Sequence, residues 1–118
     1  MTAPSMQRLV AICRLDDIDR EGGVTALVDG EVVAVFRTYA DDVFALDNFD
    51  PFGQASVLSR GIVGTRGDRD VVASPLHKQV FDLRTGLCLD DESVRVAVHP
   101  VVVRDGVVHV EAATASAP

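Results

Sequence analysis

Tryptophan is absent from this 118-residue chain, and cysteine occurs only twice. Cys13 and Cys88 stand 75 positions apart, too few and too distant for a disulfide scaffold and without metal-type spacing. They are expected to be buried, reduced thiols behaving as small apolar residues. No apolar run approaches the roughly 20 residues that a membrane helix requires. Positive charge is scarce: 11 Lys and Arg against 18 Asp and Glu leave a net charge of −7. Nucleic acid and anionic membrane surfaces are therefore poor partners, since both are bound through Lys and Arg. The first residues, Met1 to Arg8, carry neither the basic nor the apolar region of a secretory signal. A cytoplasmic location is the expectation.

Amphipathic helix periodicity, internal repeats and linkers are missing as well. What remains is one domain's length of chain with 47% hydrophobic and 25% charged residues, an ordinary globular balance. Valine falls in short runs between turn formers, and β-branched side chains suit a pleated surface. Strands are predicted at Arg8 to Cys13, Val24 to Val28, Glu31 to Arg37, Val43 to Leu46, Val71 to Ala73, Gln79 to Leu83, Val94 to Val98, Val101 to Val103 and Val107 to Val110. Asp29-Gly30 and Asp105-Gly106 predict tight hairpins in which both central residues take positive φ. The acidic stretch from Asp16 to Gly23 reads as a loop, and one helical turn is predicted within Gln54 to Arg60, ended by Gly61. Gly61 to Gly67 lacks the Gly-Lys-Ser/Thr ending of a phosphate loop and reads as a strand and turn. The fold class is all-β, a sandwich or small barrel with little or no helix.

Two segments break the valine rhythm. One is Asp47-Asn48-Phe49-Asp50-Pro51-Phe52-Gly53; the other runs Ser74-Pro75-Leu76-His77-Lys78-Gln79 into Phe81-Asp82-Leu83-Arg84-Thr85-Gly86. Each sets a Pro-marked turn directly after a strand. Their short polar side chains suit hydrogen bonds to turn backbone. If one of Phe49 and Phe52 is exposed, it is a candidate anchor for a partner. His99, before Pro100, and His109 have no metal-ligand spacing and read as structural or surface residues. Arg60, Arg66, Arg69 and Arg84 read as a solvated face. No nucleophile with a base and no acid–base pair can be assembled, so no catalytic residue is assigned.

The two segments resemble the loops of a Rieske iron–sulfur domain, Cys-x-His and Cys-x-x-His, with Phe81-Asp82-Leu83-Arg84-Thr85-Gly86 at the offset where that family has a similar stretch. The resemblance implies a Rieske-like antiparallel β sandwich over 8–111, with a smaller loop-bearing subdomain over 48–86. It also implies a flexible start at 1–7 and a disordered tail at 112–118. A Rieske centre takes two thiolates on one iron and two imidazoles on the other. The matching positions hold Asn48, Asp50, Ser74 and His77, so three of four ligands are replaced and no cluster or other metal is expected.

The sequence is more specifically similar to small subunits of bacterial NADH-dependent assimilatory nitrite reductases. The stretches that carry this are Ile12-Cys13-Arg14-Leu15-Asp16-Asp17-Ile18, Ala45-Leu46-Asp47-Asn48-Phe49-Asp50-Pro51-Phe52, Ala55-Ser56-Val57-Leu58-Ser59-Arg60-Gly61, Val72-Ala73-Ser74-Pro75-Leu76-His77-Lys78-Gln79 and Gly86-Leu87-Cys88-Leu89-Asp90-Asp91-Glu92. The resemblance implies an accessory role beside a large subunit that carries FAD, siroheme and a [4Fe–4S] cluster and reduces nitrite to ammonium. This chain would bind no cofactor itself. Phe49, Pro51, Phe52, Pro75, Leu76 and His77 are then the candidate contacts with the large subunit. A Rieske-type ferredoxin with unusual ligands and a stand-alone binding module are the alternative readings.

Overall fold

The computed structural model describes residues 8–76 and 78–112, so the expectations for 1–7, for 113–118 and for His77 lie outside the described residues. Twelve strands run through the described chain in the order β1 (Arg8–Arg14), β2 (Gly22–Val28), β3 (Glu31–Arg37), β4 (Val43–Asp47), β5 (Phe49–Asp50), β6 (Ala55–Ser56), β7 (Ile62–Arg66), β8 (Arg69–Ala73), β9 (Val80–Asp82), β10 (Val98–His99), β11 (Val101–Arg104) and β12 (Val107–Ala112). Two 3-10 turns, Leu15–Asp17 and Leu58–Arg60, are the helical elements among the described residues. The second falls inside the predicted helical turn and is followed by Gly61.

All strand pairs are antiparallel and fall into four sheets, ordered β1-β12-β11, β10-β4-β3-β2, β5-β6 and β7-β8-β9. Both predicted hairpins form with the expected backbone: φ is 50° at Asp29 and 83° at Gly30, and 55° at Asp105 and 78° at Gly106. These left-handed pairs match the twist of the flanking strands. β1 carries a bulge, since its register with β12 shifts between Ala11 and Cys13.

The central strand is β3, whose residues Val33, Ala34, Val35 and Phe36 are all fully buried. Alternate side chains on a strand point to opposite faces. On one face Val33 and Val35, with Ala45 of β4, pack with Val108, Val110 and Ala112 of the first sheet. On the other, Ala34, Phe36 and Leu46 pack with Leu58, Val72, Phe81, Leu83 and Cys88 of the loop-bearing part. A strand covered on both sides reads as a continuous apolar run rather than an alternating one.

Several expectations need correction. β2 begins at Gly22, inside the stretch read as an acidic loop, and Ile18 of that stretch is fully buried. Arg37, only 9% exposed, holds it there, donating to the carbonyls of Leu15 (3.2 Å) and Ile18 (2.8 Å). The predicted strand Val94 to Val98 reduces to β10 and an isolated Leu87–Arg95 bridge. The reason is the turn before it. Gly86 sits at φ 78°, and an added Cβ there would fall 1.9 Å from the Val96 carbonyl oxygen, so the chain folds back as a loop around this close approach. Ala112, assigned to the tail, is a buried residue of β12. Cys88 is buried as expected, whereas Cys13 is half-buried, and burial followed by the nearby Asp17 carboxylate pushes its thiol pKa up.

Two outcomes test this arrangement. Gly86→Ala combines a left-handed φ with a backbone clash and is expected to lower unfolding stability by about 3 kcal/mol in urea titrations. Asp41, in the turn after β3, accepts from Arg20 (2.9 and 3.1 Å) and Arg37 (2.9 Å), and these hydrogen bonds lower its pKa from 3.8 to about 2. Its folded pKa lies below the unfolded one, so the stabilisation is present above pH 3.8 and is lost as pH falls through about 2. Asp41→Asn should melt below the wild type at pH 7, and the gap should close between these two pH values.

Candidate functional site

The two irregular segments leave β4 and β8 and meet at their tips. Asn48 and Asp50 from the first and Ser74 from the second are 2%, 0% and 1% exposed. Buried polar groups are tolerated when they are hydrogen-bonded, and each of these is. The Ser74 hydroxyl donates to Asp50 Oδ2, joining positions 24 residues apart. Asp50 Oδ1 accepts from the Phe52 amide at 2.9 Å, and Ser74 Oγ accepts from the Leu76 amide at 3.2 Å. Asn48 turns the other way, donating to Ser56 Oγ at 2.9 Å and accepting from the Ser59 amide at 2.7 Å. Gly53 lets the tips touch: a Cβ at this position would fall 2.4 Å from Leu76 Cδ1.

The candidate contact residues separate by burial. Phe49 is 47% exposed and Leu76 46%, with Pro75 also exposed. Pro51 and Phe52 are half-buried, and Phe52 packs against the core at 6.2 Å from the Phe81 ring. Phe49 is thus the outward aromatic and Phe52 the inward one. The following motif is held by Asp82, whose Oδ1 caps the turn by accepting from the amides of Arg84 (2.7 Å) and Thr85 (3.1 Å). Its Oδ2 takes Arg69 at 2.9 Å, so Asp82 braces β9 against β8. Of the four arginines read as a solvated face, Arg66 bonds Asp90 and Arg84 lies 5.0 Å over the Phe44 ring. The Val80 amide first, and then Arg66, hold the Asp90 carboxyl below its ordinary pKa.

This donor set does not fit a Rieske centre. The described ligand positions offer an amide, a carboxylate and a hydroxyl in place of thiolates and an imidazole, and these atoms already satisfy one another and the loop backbone. The one histidine that matches the ligand pattern, His77, lies outside the described residues. His109 bonds the Val107 carbonyl at 3.1 Å. His99, read as structural, is brought to Asp47, with Nε2 2.7 Å from Oδ1. Sequence spacing carried no sign of that pairing across 52 positions.

The Asp50–Ser74 contact is open to direct test. Ser74→Ala removes a donor from a fully buried carboxylate and should cost about 2 kcal/mol of unfolding stability. Ser74→Thr, which keeps the hydroxyl, should recover part of it; equal stability of wild type and Ser74→Ala would show that the contact contributes nothing.

Comparison with known proteins places these features. Residues 8–111 match the family described as Rieske-like [2Fe-2S] domain. The NADH nitrite reductase small subunit of Salmonella typhimurium (strain LT2) is 52% identical over 98 residues, covering 82% of this chain and 91% of that protein. The NMR structure of the Escherichia coli protein NirD superposes with a TM-score of 0.84 at 46% identity, over 92% of this chain and all of the other. A segment of the Klebsiella oxytoca nitrite reductase [NAD(P)H] large subunit is 43% identical over 100 residues, covering 85% of this chain and 10% of that protein. With its all-β fold, its paired loops and these identities, the chain belongs to the Rieske-like domain family and, within it, to the small subunits of NADH nitrite reductase.

Proposed function

We propose that the chain is the accessory subunit of a cytoplasmic NADH nitrite reductase serving nitrate assimilation. It docks on a large subunit carrying FAD, siroheme and a [4Fe–4S] cluster, and holds no [2Fe–2S] cluster of its own. The observation that carries this reading is the buried Asp50–Ser74 hydrogen bond, which occupies ligand positions of a Rieske-like fold with oxygen donors that bond each other. Neutral hydroxyl and amide groups are poor replacements for the thiolates that hold such a cluster. The chain then contributes a surface rather than a redox centre. The match inside the Klebsiella large subunit supports this, since a like domain there shares a polypeptide with the rest of that subunit.

The docking surface in this reading is the joined loop tips. Phe49, Pro75 and Leu76 present apolar area outward, while Phe52 and the Asp50–Ser74 bond fix the loops from beneath. Pro51 and His77 belong to the same two loops. Aromatic side chains that become desolvated at an interface centre dominate binding energy, and Phe49 has the exposure to do so. A rigid tip also loses little entropy on docking.

Reconstitution decides the matter. The large subunit should reduce nitrite with NADH several-fold faster with this chain than without it, and the chain purified anaerobically should be colourless and free of iron. Phe49→Ala with Leu76→Ala should keep the fold by circular dichroism and weaken the complex at least about tenfold. Equal nitrite reduction with and without the chain would defeat the accessory role, visible absorbance of a two-iron cluster would defeat the cofactor-free reading, and undiminished affinity of the double variant would move the interface elsewhere.

A further inference from the structure

Glu31 opens β3, Asp47 closes β4 and His99 closes β10. In the register, Val33 faces Asp47 and Ala45 faces His99. Residues two apart on a strand share a face. The three side chains therefore stand in a diagonal across adjacent strands, at the margin of the apolar face formed by Val33, Val35 and Ala45. One ligating atom from each, two carboxylate oxygens and an imidazole nitrogen, lies within 4.8 Å of both others. The His99 ring is fixed, with 14% side-chain exposure and Nε2 on Asp47 Oδ1.

Charge sets this cluster apart from the acidic positions that form ion pairs with arginine. Asp29, Asp41, Asp82 and Asp90 each face an arginine. Among the described residues, no Lys or Arg pairs with Glu31 or Asp47, although their carboxylates converge. Two like charges held close favour a bound cation or proton. A histidine nitrogen and two carboxylates are also ligands of two types that Zn2+ accepts, with further positions left to water. Hard cations such as Mg2+ favour all-oxygen sets, so the imidazole selects against them.

We propose that Glu31, Asp47 and His99 form a binding site for a divalent transition-metal ion, with Zn2+ the best match. The ion would tie β3, β4 and β10 together immediately before Asn48, where the first loop begins. It is separate from the Rieske-like ligand positions and shares none of their residues.

The test is zinc chloride titrated calorimetrically into the full chain after chelator treatment and desalting. One equivalent should bind. Glu31→Gln and His99→Gln should each weaken binding at least about tenfold, while Cys13→Ser and His77→Gln leave it unchanged. Glu31 is exposed, so its variant decides the matter even if His99→Gln fails to fold. Absence of zinc binding by the wild type, undiminished binding by Glu31→Gln, or loss of binding in Cys13→Ser or His77→Gln would overturn the site.

Discussion

Burial of β3 on both faces is the constraint from which the remaining architecture follows. Its odd residues need one apolar layer and its even residues another, and no single sheet can supply both. The terminal strands β1, β11 and β12 meet the first demand, and the loop-bearing segments from Leu58 to Val96 meet the second. The two irregular loops are positioned by this division: β4 pairs with β3 and delivers Asn48, while β8 carries Val72 in the second core and delivers Ser74. The loops are as well placed as the strands they leave.

Within that frame, polar contacts join the two loops. A hydroxyl and a carboxylate tie the two loops to each other directly, and an asparagine amide secures the start of the first loop to Ser56 and Ser59. A hydrogen bond in a buried site has a modest net contribution but a large cost if left half-made. The pair therefore specifies one loop arrangement more than it adds stability. Gly53 against Leu76 reinforces the same geometry by close packing.

Local chemistry was legible in the sequence and long-range convergence was not. Asp29-Gly30 and Asp105-Gly106 announce their hairpins because positive φ is a property of the dipeptide itself. The valine runs give β3, β4, β8, β11 and β12 to within a residue or two. The two-residue strands β5 and β6 have too few positions for a period to appear. Ile18 sits among Asp16, Asp17 and Asp19, so its burial depends on Arg37, far along the chain. The resemblance located Asn48, Asp50 and Ser74 as one constellation, yet the direct Asp50–Ser74 pairing needs loops from two different sheets brought together by the fold. The Glu31, Asp47 and His99 group comes from three strands and had no local signature at all.

The antiparallel pairing of β1 with β12 sets Arg8 opposite Ala112, so the described chain enters and leaves the domain at neighbouring points of one sheet. A body whose two ends emerge together behaves as a cassette. It can be carried as a separate gene product or spliced into a longer polypeptide without stretching a linker across its surface. The occurrence of a like segment within a nitrite reductase large subunit from Klebsiella oxytoca is what that geometry permits. Whether such a module is tethered or free then becomes a matter of effective concentration rather than of fold.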